Sequence, residues 1–358
     1  MPPTTTDHTA TSATFEVPAV DITAYVAGGT TEARAETARQ LDDACKKVGF
    51  IQILGHGIPQ EILDGLQDAH DAFFGLPLAE KKQSLADGNR GYTAPKSESL
   101  SLSLGIENAN RMNDFFEAFN IGSESSWYPA LNLSAQDYTA NTWPDVDGFE
   151  PQVMAYYHEA ARVARTLTTI FADALDLPSD YFEYLCDHSI DVLRMVNYAL
   201  PEGTVRLDGD LKGMGEHTDF GIVTVLWADQ VEGLQVLGTD GVWHDVQPSD
   251  GALLVNLGDL TARLTNDRWM STLHRVAPPV VDGVIKRRRS VAFFHDGNAD
   301  AVIATLPSHL DADNGLAYEP ITVREHVKAK LEGSQKGKAN SAAVREAARV
   351  LAAQGQQR

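Results

Sequence analysis

The sequence predicts an α+β fold with a mainly β core, a sandwich or barrel buttressed on its outside by helices from the first half of the chain. Three observations predict it. The first half carries long stretches of helical apolar spacing. The second carries about seven short β-type runs punctuated by turn signals such as "TDG" and "PSDG". No internal repeat or clean linker splits the 358 residues.

Residues 1–13 are rich in Thr and Ala and are expected to be disordered. "FEVPAVDI" predicts a short strand. From Thr31 to Val48, Leu41, Ala44, Cys45 and Val48 fall on one helical face. "GFIQILGHG" reads as a buried strand, and a helix is expected from about Pro59 to Phe74. The stretch from Ala86 to Met112 lacks steady periodicity and predicts irregular loops, where binding residues concentrate. A second long helix is expected from about Glu150 to Leu175, with Val153, Tyr157, Ala160, Ala164, Leu167, Ile170 and Phe171 as its apolar stripe. The β-type runs then follow: "VLRMVNYAL", "IVTVLWA", "GLQVLG", "GVWHDVQ", "ALLVNLGD", "STLHRVAPP" and "RRSVAFFHD". These divisions give a single domain over 14–332, with a helical region to about 190 and a β core over about 191–300. A polar hinge, "GSQKGKANS", would lead from Gly333 into an Ala-rich, more basic helical tail ending at residue 358.

The formal net charge of −21 argues against nucleic acid as a partner, since phosphate backbones need a basic face. No apolar stretch is long enough to span a bilayer, and the N-terminus lacks the charged and apolar regions of a secretory signal. A cytoplasmic protein with no membrane partner is the expectation, with a monomer as the default. Cys45 and Cys186 form no C-x-x-C and are expected to be reduced and buried.

The chemistry begins at "MGEHTDFG". In an extended segment, residues two apart project to the same side, so His217 and Asp219 can bring an imidazole nitrogen and a carboxylate oxygen to one point. A catalytic metal needs a third ligand from another strand. His274 in "STLHRVAPP" is the candidate, far enough downstream for the intervening strands to fold back. Two imidazoles and a carboxylate on one face suit non-haem Fe(II) and leave three positions open. A closed zinc site would more often use four ligands with cysteines, and neither cysteine is near. His56, His188, His244 and His295 lack a partner at same-face spacing and are expected to be structural or superficial. In "KRRRSVAFF", Arg288 and Ser290 again stand two apart. A guanidinium clamps a carboxylate through two parallel hydrogen bonds, which a hydroxyl can supplement. Arg287 and Arg289, facing the other way, read as a solvated basic edge.

Taken together, the order H-T-D, "TLHRV" and R-x-S before "VAFF" resembles the isopenicillin N synthase-like branch of the Fe(II)/2-oxoglutarate oxygenases. The likeness covers about residues 14–330 and includes "VPAVDI", "ACKKVGFIQILGHGIP", "RGYTAP", "DFFEAFNIG", "NTWPD", "GLQVL" and "ALLVNLGD". It implies a double-stranded β-helix (jelly-roll) core with His217, Asp219 and His274 as Fe(II) ligands and Arg288 with Ser290 on the distal carboxylate of 2-oxoglutarate. By motif position, Asn197 and Tyr198 would line that pocket, although "YALP" departs here from the usual "YP". Arg90 and Tyr92, from "RGY", would lie near a small-molecule substrate. The implied reaction consumes O2 and 2-oxoglutarate, releases succinate and CO2, and oxidises a substrate C–H bond by hydroxylation, desaturation or cyclisation. Two other readings stand beside it: an iron oxidase of the same fold that needs no 2-oxoglutarate, and a non-catalytic sensor binding iron and 2-oxoglutarate. Hydrolysis on another metal finds no general base at a recognisable spacing. Arg90 and Arg194 could each receive a substrate carboxylate or pair with a local acid.

Overall fold

The computed structural model describes residues 15–85, 89–104, 114–199, 213–278, 280–281, 284–310, 315–336 and 348. The expected N-terminal disorder and nearly all of the expected tail lie outside these residues. The first half contributes β1 (Ala19–Asp21), α1 (Thr23–Val26), α2 (Thr31–Lys47), β2 (Phe50–Leu54), α3 (Gln60–Phe74), α4 (Leu78–Lys81), β3 (Gly91–Thr93), β4 (Glu117–Gly122), α5 (Phe149–Ala174) and α6 (Glu183–Cys186). Then follow β5 (Val192–Tyr198), β6 (Met214–His217), β7 (Val223–Ala228), β8 (Leu234–Leu237), β9 (Trp243–Asp245), β10 (Leu253–Leu257), α7 (Asp259–Leu264), β11 (His274–Val276), the hairpin β12 (Val280–Val281) and β13 (Val284–Ile285), β14 (Arg288–His295) and α8 (Val323–Lys336).

The three long helices of the first half lie where apolar periodicity puts them. The Thr30 hydroxyl caps α2 by accepting from the Ala33 amide, and the helix buries Leu41, Ala44 and Cys45. Helix α5 buries the whole expected stripe from Val153 to Phe171. Cys45 is buried as expected, whereas Cys186 is only half-buried; both are free. No helix among the described residues is long and apolar enough to cross a membrane.

Two sheets form the core. The larger has eight strands in the order β1-β2-β10-β7-β14-β5-β4-β3, and the smaller has four in the order β6-β11-β8-β9. Here the structure corrects the sequence reading. The first half is more than a helical buttress, since it supplies β1, β2, β3 and β4 to the larger sheet. Strand β4 escaped detection because all six of its residues are buried, which removes the alternation that marks a half-buried strand. Within the stretch expected to be irregular, Gly91–Thr93 pairs with β4, and Leu100–Leu104 forms a 3-10 turn.

Alternation sets the inside and the outside of the larger sheet. Leu193, Met195, Val291 and Phe293 face the helices and join the main apolar core. Val192, Arg194, Val196, Tyr198, Arg288, Ser290, Ala292 and Phe294 face the other way and line a cavity. A second correction concerns the C-terminus. The expected hinge begins inside α8: a Cβ on Gly333 would fall 2.9 Å from the Ser103 Cα and 3.0 Å from the Leu102 carbonyl oxygen. This glycine permits close packing of the helix on the 3-10 turn.

Candidate active site

The cavity has a volume of about 520 Å3 and is lined by residues of both sheets, of α8, and of the loops before β3 and β5. That is the size of a pocket for one or two small organic molecules.

The three expected metal ligands meet at its wall. His217 ends β6 and His274 begins β11, and the two are direct cross-strand partners. Each offers one atom, with Asp219, to a set lying within 4.8 Å of one another. His217 Nε2 is 3.8 Å and His274 Nε2 is 3.6 Å from Asp219 Oδ1. The other atom of every ligand is occupied. His217 Nδ1 lies 2.8 Å from the Gly215 carbonyl oxygen and His274 Nδ1 lies 3.1 Å from that of Thr272. Each Nδ1–H therefore donates to the carbonyl two residues upstream, which leaves Nε2 with its lone pair facing the centre. Asp219 Oδ2 accepts from Thr224 at 2.5 Å and from Asn256 Nδ2 at 2.6 Å, leaving Oδ1 for a metal. Burial, reinforced by the His274 charge, holds His217 well below the ordinary imidazole value. The donor set is thus two imidazole nitrogens and one carboxylate oxygen, which fits Fe(II). Behind it, the Thr218 hydroxyl and the Lys330 ammonium of α8 both reach Asp259, the latter at 2.7 Å.

Arg288 lies in the same cavity, 2% exposed, with its guanidinium 5.3 Å from the centre of the Tyr198 ring. Its Nε has no hydrogen-bond partner, and no carboxylate of a described residue pairs with it. A buried cation in that state costs free energy until an anion arrives. Ser290, two residues on, lines the same wall.

The remaining expected residues divide by strand alternation. Tyr198 faces the cavity, whereas Asn197 turns to the opposite side, where it donates to Glu117 at 2.9 Å and accepts from Arg287 at 2.7 Å. Adjacent strand residues cannot share a face, so the pair is not brought together. Arg90 lines the cavity, but Tyr92 donates its hydroxyl to Glu117 at 2.7 Å, away from it. The positive φ of Gly91 (75°) breaks the same-side relation that i and i+2 would otherwise have. Arg287 and Arg289 face away from the cavity, Arg287 exposed and Arg289 half-buried; both pair with the exposed Asp71, and Arg289 also with Asp229. Arg194 pairs with Glu98 at 2.6 Å. The other histidines stay out of the metal cluster. His56 bonds the Gly251 carbonyl, His188 and His295 bond aspartates, and His244 stacks on Phe15. No local spacing marks Asn256, Thr224 or Asp296 as site residues. Asp296 lines the cavity, and burial together with the Asp191 charge pushes its carboxyl up to about 8.

Comparison with known proteins agrees with this geometry. Residues 17–146 match the family described as non-haem dioxygenase in morphine synthesis, N-terminal, and residues 190–297 match the 2OG-Fe(II) oxygenase superfamily. A 2-oxoglutarate-Fe(II) type oxidoreductase of Emericella nidulans is 36% identical over 309 residues, covering 84% of this chain and 86% of that protein. The chain belongs to the 2-oxoglutarate/Fe(II) oxygenases, of the isopenicillin N synthase-like type. A validamycin A dioxygenase of Streptomyces hygroscopicus subsp. limoneus is 32% identical over 313 residues, covering 85% of this chain and 83% of the relative. Among solved structures, a 2OG-Fe(II) oxygenase family protein from Caulobacter crescentus superposes with a TM-score of 0.73 at 28% identity, covering 88% of this chain and 97% of its own. The dioxygenase for auxin oxidation of rice superposes with a TM-score of 0.68 at 25% identity, over 92% and 99% of the two chains. As a member of this family the chain is an oxidoreductase that uses Fe(II), 2-oxoglutarate and O2.

Proposed function

We propose that the enzyme hydroxylates a C–H bond of a small-molecule substrate, with a double-stranded β-helix over about 191–300 as the scaffold of a single domain. Iron and 2-oxoglutarate, when bound, supply the activation of O2 and the oxidative decarboxylation that yields succinate and CO2. The chain's own residues do the rest. His217 Nε2, His274 Nε2 and Asp219 Oδ1 hold the metal; Gly215, Thr272, Thr224 and Asn256 hold those ligands in orientation. Arg288 and Ser290 take the distal carboxylate of the co-substrate, and Tyr198 packs beneath the guanidinium. The apolar walls of the cavity, including Val192, Phe294 and Leu331, exclude water and place the substrate.

The observation that carries this reading is the coincidence, in one cavity, of three ligands with occupied outer atoms and a buried arginine with no acidic partner among the described residues. It is tested by anaerobic addition of Fe(II) and 2-oxoglutarate, which should give a visible charge-transfer band, followed by O2 and an assay for succinate. Screening small molecules for stimulated succinate release then identifies the substrate. A protein that forms neither band nor succinate refutes the reading.

A further inference from the structure

Helix α8 turns two kinds of side chain toward the site. Val327, Leu331 and Ser334 line the cavity wall. His326 and Lys330, four residues apart on one helical face, are buried against Asp259 instead. Lys330 is 1% exposed. Its ammonium lies 2.7 Å from Asp259 Oδ2, donates to the Thr218 hydroxyl at 3.2 Å and stands 5.6 Å from the centre of the Phe220 ring. Thr218 and Phe220 flank the ligand Asp219.

Asp259 joins this lysine to both segments that bear the ligands. Its amide donates to the Asp219 carbonyl oxygen at 2.8 Å, and its Oδ2 accepts from the Thr218 hydroxyl at 3.3 Å. Its Oδ1 accepts at 2.7 Å from the hydroxyl of Ser271, on the segment that leads into His274. A Cβ on Gly258 would collide with the Gly221 carbonyl oxygen, so the turn that presents Asp259 packs directly on the segment after Asp219. A buried ammonium is costly to desolvate, and an apolar side chain of similar volume would pack a helix at least as well. Keeping the charge fixes where α8 sits relative to Asp259. Arg324 is the contrast: it ties the same helix to Asp137 at 2.8 Å, but from an exposed position where water screens the pair.

We propose that Lys330 is a positioning residue that ties the seat of α8 over the cavity to the arrangement of the metal ligands, so that metal binding and docking of the helix favour each other. The inference rests on the assignment of His217, Asp219 and His274 as ligands and adds α8 to that site. The lysine acts through Asp259 and Thr218. Linkage makes the effect reciprocal. Whatever factor the docked helix contributes to Fe(II) affinity, Fe(II) returns as an equal shift of the helix toward its docked state.

The test measures hydrogen exchange of the α8 amides on the full chain, anaerobically, with and without saturating Fe(II). In the wild type Fe(II) should slow exchange across 323–336 by about tenfold, the lower end of the loss expected when a group that orients a metal ligand is removed. Lys330→Met should bind Fe(II) about tenfold more weakly, and Fe(II) should no longer slow exchange in its α8. That variant leaves Asp259 buried without its cation, so Lys330→Met/Asp259→Asn is measured beside it. The pair of substitutions removes both charges and should show the same two losses. Arg324→Gln, which cuts only the exposed tie, should keep both the affinity and the exchange effect. The proposal is overturned if Fe(II) binds the wild type and leaves α8 exchange unchanged, if either folded lysine variant keeps the wild-type response, or if Arg324→Gln loses it equally. A wild type that binds no Fe(II) is a different result: it removes the ligand assignment, and this inference with it.

Discussion

The two faces of the sheet at Arg287, Arg288 and Arg289 carry the same side chain in opposite states. On the inner face Arg288 is buried with no acid among the described residues to neutralise it, beside Ser290 and Tyr198. On the outer face Arg287 and Arg289 share Asp71, Asn197 bridges Arg287 to Glu117, and Glu117 also takes Lys81 at 2.7 Å and Tyr92 at 2.7 Å. The outer network is closed on itself. The inner one is left open toward a cavity of about 520 Å3. Saturated polar groups fix the fold; withheld partners mark where a ligand supplies the missing charge.

Substitutions on the two faces should therefore fail differently. The largest effect is expected from His274→Ala, which removes a ligand and should abolish both the charge-transfer band and succinate formation while the circular dichroism spectrum stays native. A band of normal intensity in this variant would contradict the ligand assignment. On the outer face, Glu117→Leu leaves Lys81 buried without its carboxylate and should cost about 3–5 kcal/mol in urea denaturation. Asn256→Ala releases one of the two groups that hold Asp219 Oδ2, and Fe(II) affinity should fall by about 10–100-fold with little change in stability.

The smallest effect is one of pH. Burial pushes His70, on the outer face, down to about 3. Between that value and the ordinary imidazole value the unfolded chain takes up a proton that the folded chain refuses. Its contribution to stability is thus present near neutrality and lost as pH falls, by up to about 1.4 kcal/mol per pH unit. His70→Gln removes that contribution, so the stability gap between variant and wild type should narrow on acidification. A gap that stays constant between about pH 7 and about pH 5 would show that His70 titrates normally.

What was legible in the sequence follows the same division. His217, Asp219, Arg288 and Ser290 sit at strand spacings of two, so local geometry alone put each pair on one face, and only His274 required a distant strand. The family resemblance then assigned roles that spacing alone left open. The outer network was invisible because its members come from α3, α4, β3, β4, β5 and β14, and no local spacing connects them. Strand β4 was missed for a related reason, since a strand buried on both faces has no polar alternation to read. Arg90 and Arg194 looked equivalent in sequence; Glu98 beside Arg194 separates them in space.

In the proposed site Arg288, which pairs with no acid among the described residues, receives the co-substrate, and its paired neighbour Arg287 does not. Anaerobic titration of the Fe(II)-loaded protein with 2-oxoglutarate tests it, with Arg288→Gln and Arg287→Gln compared to the wild type. The account predicts that Arg288→Gln needs about a hundredfold more 2-oxoglutarate to develop the band, while Arg287→Gln titrates like the wild type. Equal weakening in both variants, or wild-type affinity in Arg288→Gln, would contradict it.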